Sequence, residues 1–380
     1  MDNRIQEAFR LGFQECLGRY SLTPDQIKAG YAILNCRTGA LGYNAYVCPE
    51  CGHTEIHNNS CRNRNCPVCQ GVEREVWIDR RSSELFHAPY FHIVCTLPAE
   101  LAPLLLRNGK DLYNLFHRSV GNAILKLSAD RRYLGAVPSI LQVLHTFGSR
   151  MSYHVHMHCI VSGGGLTPQG TFKRIPDRRK KFFLPVKALS KIIRGKFLSE
   201  LDRMIREEKL QLPDTFDWKN LKERLYRKNW NTFCRETVSA NGNAVQYVGR
   251  YINRIAISNS RILSVSESEV RFSYTDYRTK QKKILSLSPA KFVRMFLLHV
   301  LPKGFQKVRY YGLLNNRMKS INLQTVRRLQ GCDAPVRRFA EMGKAEIIKE
   351  LYGFDPRVCP VCHTAGMNPV KSRVRMNCRR

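Results

Sequence analysis

The sequence predicts an α+β protein, and three observations carry the prediction. Phe91-His92-Ile93-Val94-Cys95-Thr96-Leu97 reads as a buried strand stopped by Pro98. Ile140 to Phe147 and His154 to Val161 read as two further strands joined by a turn at Gly148-Ser149-Arg150-Met151-Ser152, which makes them antiparallel. Leu189, Ile192, Ile193, Phe197, Leu201, Met204 and Ile205 recur at the spacing of one helix face.

The other elements fall around these. Ile5, Phe9, Leu11 and Phe13 give an apolar stripe, and Thr23-Pro24-Asp25-Gln26 has the form of a capping box with proline at the first helical position, so the first forty residues are expected to be helical. A cysteine-rich, apolar-poor stretch runs from Cys48 to Cys69, and two helical segments are expected between Ala99 and Ser128. Gly163-Gly164-Gly165 should end the histidine-bearing strand where the backbone bends or approaches something closely. The basic run from Lys173 to Lys181 reads as a loop, a helix is expected from near Asn243, strands between Val270 and Leu287, and a helix from Pro289 to Val300. Length alone suggests two or three units, and the expected division is 1–85 helical and zinc-binding, 86–262 central, 263–380 a basic carboxyl-terminal region.

Apolar content of 43% and charged content of 24% are those of a folded globular chain. The charge is not ordinary: 63 Lys and Arg against 30 Asp and Glu leave +33, spread along the whole chain. Such a field favours a polyanion, nucleic acid first. A membrane partner is excluded on this reading, because there is no basic amphipathic anchor and the apolar runs, such as Met295 to Leu298, are too short to cross a bilayer. The amino terminus lacks the apolar core of a secretory signal, so the expected location is the cytoplasm. There the fourteen cysteines stay reduced, and clustered pairs are more readily metal ligands than disulfides.

Cys48-Pro-Glu-Cys51 and Cys66-Pro-Val-Cys69 are two CxxC knuckles fourteen residues apart, near the spacing at which four thiolates close a tetrahedral zinc site. Cys48, Cys51, Cys66 and Cys69 are therefore the expected ligands of a structural zinc ion, with Cys61, His53 and His57 left out. Arg62 and Arg64 on the intervening loop are candidate phosphate contacts, equally readable as a solvated basic loop. Cys359-Pro-Val-Cys362 is a third knuckle without an evident second half; Cys332 or Cys378 could complete it, and His363 is adjacent.

In a strand, His154, His156 and His158 share one face. With the turn centred between Arg150 and Met151, His145 falls opposite His156 and diagonal to His158, so those three imidazoles could bind one divalent cation and leave positions open for water or substrate. That placement depends on register, and His154 is the alternative third ligand. Downstream, Tyr247 and Tyr251 stand one helical turn apart beside Arg250 and Arg254, cations suited to phosphate; alone, such a tyrosine pair usually packs.

Taken together, HVHMHCIV, YVGRY and SCRNRNCPVC, with FHIVCTLPAEL at 91–101, LHTFG at 144–148, HCIVSGGGL at 158–166, YVGRYINRIAISNSR at 247–261 and FLLHVLPKGFQKVRYYGLLNNR at 296–317, resemble the insertion-sequence-91 family of rolling-circle transposases, of the HUH endonuclease superfamily. The resemblance implies a ferredoxin-like core, an antiparallel sheet with helices on one face. It implies a magnesium or manganese ion at His156 and His158, nicking and rejoining of single-stranded DNA through 5′-phosphotyrosine links, and Tyr247 and Tyr251 as nucleophiles. Asn65 and Asn253 stand where many relatives have histidine, which favours His145 or His154 as the remaining ligand. Two other readings stay open: a zinc nucleic-acid-binding protein without catalysis, and a replication initiator or relaxase with the same chemistry.

Overall fold

The structure, a computed structural model, describes residues 3–176, 183–236, 255–276 and 278–370. Asn3 caps α1 (Arg4–Arg19) by accepting from the Gln6 amide, and Thr23 and Gln26 close the expected capping box of α2 (Pro24–Leu34). The cysteine-rich stretch forms a hairpin, β1 (Tyr43–Val47) and β2 (Thr54–Asn58), before α3 (Gly71–Ser82). There follow β3 (Tyr90–Thr96), a short 3-10 turn at Ala99–Leu101, α4 (Ala102–Arg107), α5 (Gly109–Ala129), β4 (Val137–Phe147), β5 (Tyr153–Leu166) and β6 (Phe172–Arg174). Next come α6 (Val186–Arg206), α7 (Trp218–Arg227), β7 (Thr232–Glu236), β8 (Ile262–Val265), β9 (Val270–Thr275) and β10 (Lys282–Leu287). The last elements are α8 (Pro289–Leu297), β11 (Val308–Gly312), α9 (Lys319–Gln330), α10 (Lys344–Tyr352) and β12 (Asn368–Pro369).

The central sheet runs β11-β4-β5-β3-β7, with β6 on the end of β5, and all its pairings are antiparallel. The succession β3-α5-β4-β5-α6-β7 with the spatial order β4-β5-β3-β7 is the ferredoxin-like arrangement. Its two faces follow from the alternation of side chains. Phe91, Ile93, Cys95, Ile140, Leu144, Val155, Met157, Cys159 and Val161 all join the core shared with α5 and α6. Each large side chain taken fully out of water there stabilises the fold by about 1.5–3 kcal/mol. The intervening residues point to the opposite face. There Tyr90, Leu141, Val143 and Ile160 are covered by Leu323 and Val326 of α9, while the histidines occupy the remainder.

The glycine triplet does not end β5, which continues to Leu166. Its role is close approach: a Cβ on Gly165 would lie 2.0 Å from the Val137 carbonyl oxygen, and one on Gly163 would lie 2.8 Å from the Phe91 ring. Only glycine lets β4 and β5 stay paired there.

A second core joins elements from both sides of the expected boundaries at 85 and 262. Ile5, Phe9 and Phe13 of α1 pack with Ile262, Phe272, Phe292 and Phe296, and the Phe9 and Phe296 rings meet edge to face at 5.2 Å. Asn259 Oδ1 accepts from the Ile5 amide, and Arg4 donates to the Ile262 carbonyl. Among the described residues, no helix is long and apolar enough to cross a membrane.

Candidate active site

The β4–β5 hairpin sets the histidines. Val143 pairs with His158 and His145 with His156, the register expected from the sequence. Nearer the turn the register shifts: between the pairs His145–His156 and Phe147–Tyr153, one residue of β4, Thr146, stands against two of β5, His154 and Val155. The turn closes with Gly148 N–H donating to the Ser152 carbonyl, and Met151 takes a left-handed conformation with its side chain in the amino-terminal core. His154 lies within the shifted stretch, out of the paired ladder and exposed.

His145, His156 and His158 come together. Their ligand atoms all lie within 4.8 Å of one another, and His154 is outside the group. The His145 ring stands 4.6 Å from His158 and 5.4 Å from His156, and stacks on Phe147 at 5.0 Å. His156 Nδ1 sits 2.8 Å from the His154 carbonyl oxygen. A carbonyl only accepts, so Nδ1 carries the proton and Nε2 keeps a lone pair.

His92 of β3, which the sequence reading passed over as part of a buried strand, touches the histidine group. Its ring is nearly parallel to His158 at 5.0 Å, and His92 Nε2 lies 2.8 Å from His158 Nδ1. Burial holds its pKa down at about 4, so it is neutral and accepts the Nδ1 proton that His158 must carry when its Nε2 binds a cation. The pairing of β3 with β5 puts His92 on the same sheet face as His156 and His158, which the sequence of β3 alone does not reveal.

The histidines open into a cavity of 1340 Å³. Arg74, Arg150, Arg261, Lys280 and Lys282 line it, and no Asp or Glu is among the described lining residues. Arg150 lies over the Tyr274 ring, and Arg261 is fixed by donating to the carbonyls of Ser273 and Ser149. These acceptors are neutral, so they orient the cations without cancelling their charge. The charge of these described lining residues suits an anion such as phosphate.

The cysteines depart from the expected quartet. Cys48 and Cys51 do not meet Cys66 and Cys69. The β1–β2 hairpin carries the first knuckle away, and Cys66 and Cys69 group instead with Cys36 and Cys61. Cys36 Sγ lies 3.3 Å and Cys61 Sγ 3.6 Å from Cys69 Sγ. Cys61 had been set aside, and Cys36, alone at the end of α2, offered no spacing to recognise. This four-thiol group adjoins the histidines, since Cys66, Pro67 and Val68 form part of the same cavity wall. Cys48 and Cys51 meet Cys359 and Cys362, while Cys332 is exposed and belongs to neither group.

Arg64 does not serve as a phosphate contact here. Its guanidinium donates to the carbonyls of Leu301, Pro302 and Phe305, tying the cysteine loop to the segment before β11. Arg62 is exposed and lines a separate surface hollow on the β1–β2 hairpin. Tyr247, Tyr251, Arg250 and Arg254 lie outside the described residues, as does Cys378. The chain re-enters the description at Ile255, and Ile255 to Arg261 line the histidine cavity.

Comparison with known proteins places this arrangement. Residues 139–321 match the family model described as "Putative transposase", and residues 8–97 match the "Transposase zinc-binding domain" of the insertion-sequence-91 type. The chain is 38% identical over 359 residues to "Putative transposase y4qJ" of Sinorhizobium fredii, covering 91% of this chain and 89% of that one. The chain belongs to the insertion-sequence-91 family of transposases. The "Transposase for insertion sequence element IS801" of Pseudomonas savastanoi pv. phaseolicola is 30% identical to this transposase over 342 residues, covering 87% of this chain and 80% of that one. No solved structure matches. The zinc-binding module of the transposase spans all four of Cys36, Cys61, Cys66 and Cys69. The ferredoxin-like sheet lies largely within the match at residues 139–321, from β4 through β11.

Proposed function

We propose that this transposase nicks and rejoins single-stranded DNA at the ends of its element through 5′-phosphotyrosine links, as rolling-circle transposition requires. The observation that carries the reading is the convergence of His145, His156 and His158 within a cavity whose described charged lining is cationic. Three imidazoles grouped in this way suit a divalent ion, manganese better than magnesium, and leave coordination positions for water and a phosphate oxygen. Bound there, such an ion would supply charge neutralisation at the scissile phosphate.

The chain's own groups do the rest. His92 and the His154 carbonyl fix the rings of His158 and His156, and Arg150, Arg261 and the lysines hold the DNA backbone. A tyrosine oxygen, of Tyr247 or Tyr251, attacks the phosphorus. A P–O bond to tyrosine forms, the P–O3′ bond breaks, the phenol proton is lost to solvent, and the 3′ oxygen leaves and is protonated. The link conserves the phosphodiester energy, so a 3′-hydroxyl can reverse the step without a nucleotide cofactor. Tyr251 precedes the cavity residue Ile255 by four positions, a span of at most ~14 Å. The second tyrosine serves the second cleavage and strand transfer.

The test is a labelled single-stranded element end incubated with the full chain and manganese, resolved under denaturing conditions. A covalent protein–DNA band is expected, absent in H156A and H158A and in the double variant Y247F/Y251F, with binding retained. Binding without any covalent band in the unaltered chain would overturn the proposal in favour of a non-catalytic nucleic-acid-binding protein.

A further inference from the structure

A second cysteine group, outside that at Cys36, Cys61, Cys66 and Cys69, is joined across almost the whole chain. Cys48 Sγ lies 3.5 Å from Cys362 Sγ, 314 residues away, and Cys51 Sγ lies 3.6 Å from Cys359 Sγ, 308 residues away. All four sulfurs are within 4.8 Å of one another. A tetrahedral ion with bonds of about 2.3 Å sets its sulfurs ~3.8 Å apart, so these contacts are near the edges of one such tetrahedron. They are well beyond the ~2.05 Å of a disulfide.

The two knuckles also share one backbone design. Cys48 N–H donates to the His53 carbonyl at 2.9 Å and Gly52 N–H to the Cys48 carbonyl at 3.0 Å. Cys359 N–H donates to the Thr364 carbonyl at 2.9 Å and His363 N–H to the Cys359 carbonyl at 3.0 Å. Gly52 and His363, at matching positions, are both left-handed, with φ of 69° and 59°. That conformation costs a histidine free energy that a glycine does not lose, so the turn at His363 is imposed by what the knuckle must hold. The halves meet as a sheet: β12 pairs with β1, Tyr46 opposite Pro369 and Val47 opposite Asn368, and Val370 N–H donates to the Ala45 carbonyl. The Thr364 hydroxyl lies 2.9 Å from Cys362 Sγ, placed to donate to a thiolate.

Apolar packing does not account for the union. The cluster contains Cys48, Cys359 and Met367, with Tyr46 and Cys362 at its edge, too few side chains to hold segments separated by so long a loop. None of the four cysteines lines the histidine cavity.

We propose that Cys48, Cys51, Cys359 and Cys362 bind a zinc ion of their own. It is a closed structural site distinct from the group at Cys36, Cys61, Cys66 and Cys69, and it fastens the carboxyl-terminal segment to the amino-terminal hairpin. Binding releases the thiol protons to solvent and changes no oxidation state. The site is independent of the strand-cutting chemistry.

Zinc content of the purified full chain tests this, measured in the H156A/H158A background so that histidine-bound metal does not count. Two ions per chain are expected, falling to one in C359S/C362S. One ion before the cysteine substitutions, or two after them, would overturn the site. A second measurement needs no cysteine variant: alkylation of the native chain read by mass spectrometry, with exposed Cys332 as the internal standard. Cys51 is also exposed, yet it should be protected together with Cys359 and Cys362 until a chelator is added. Cys51 reacting as fast as Cys332 in the native chain would equally refute the proposal.

Discussion

At the scale of single residues, the histidine trio depends on a neighbour that touches no substrate. His92 Nε2 holds His158 Nδ1 at 2.8 Å and so fixes which nitrogen of His158 is left toward the other two histidines. H92A should weaken manganese binding by roughly 10–100-fold, the usual effect of removing such a partner. H92Q should recover most of the loss, because its amide oxygen can accept the same proton. Metal titration followed by isothermal calorimetry, with DNA absent, reads the effect directly. Equal affinity in H92A and the unaltered chain would remove His92 from the site. His156 and His158 could be read from sequence because a period of two on one strand leaves little choice of face. His92 could not, because an apolar run such as FHIVCTL hides a lone polar position until the pairing partner is known.

At the scale of elements, the β4–β5 hairpin is what selects His145 over His154. A ladder without the shift would pair His145 with Val155, as the Phe147–Tyr153 pairing nearer the turn implies, and the extra residue in β5 moves it to His156. The sequence reading reached this pairing from a turn centred half a residue away, so the register agreed while the bulge itself was not foreseen. The far end of the hairpin is equally exacting. G165A should cost about 1–3 kcal/mol, since its Cβ would meet backbone at Val137, lowering Tm by about 1–4 °C. G195A on α6, where nothing lies within 4 Å, should be neutral or stabilising. Differential scanning calorimetry of the two variants checks the contrast, and similar Tm values for both would contradict the packing at β5. Elements with strong periodicity, such as α6 and β3, were visible in the sequence. The β1–β2 hairpin was not, because its residues are largely exposed and carry no apolar alternation.

At the scale of the whole molecule, a net charge of +33 should make DNA affinity steeply dependent on salt. For six or more phosphate contacts, the dissociation constant should rise by about 10³-fold between ~50 and ~200 mM salt, measurable by fluorescence anisotropy with a single-stranded oligonucleotide. R150A should lower the slope of log affinity against log salt by about one contact, and an unchanged slope would place Arg150 off the DNA path. Cysteine grouping is where sequence distance misled most. Cys48 and Cys69 are near in the chain and belong to different groups, whereas Cys48 and Cys362 are at opposite ends and share one. Spacing reports only local closure, and the pairing of β12 with β1 is a property of the complete fold.

That pairing also orders events on the ribosome. At about 5–20 residues per second, the 308 residues between Cys51 and Cys359 take on the order of 15–60 s to synthesise, and throughout that time the first knuckle has no mate. A copy of the gene interrupted late, after the whole ferredoxin-like sheet has been encoded, would still yield a chain whose first knuckle keeps no mate.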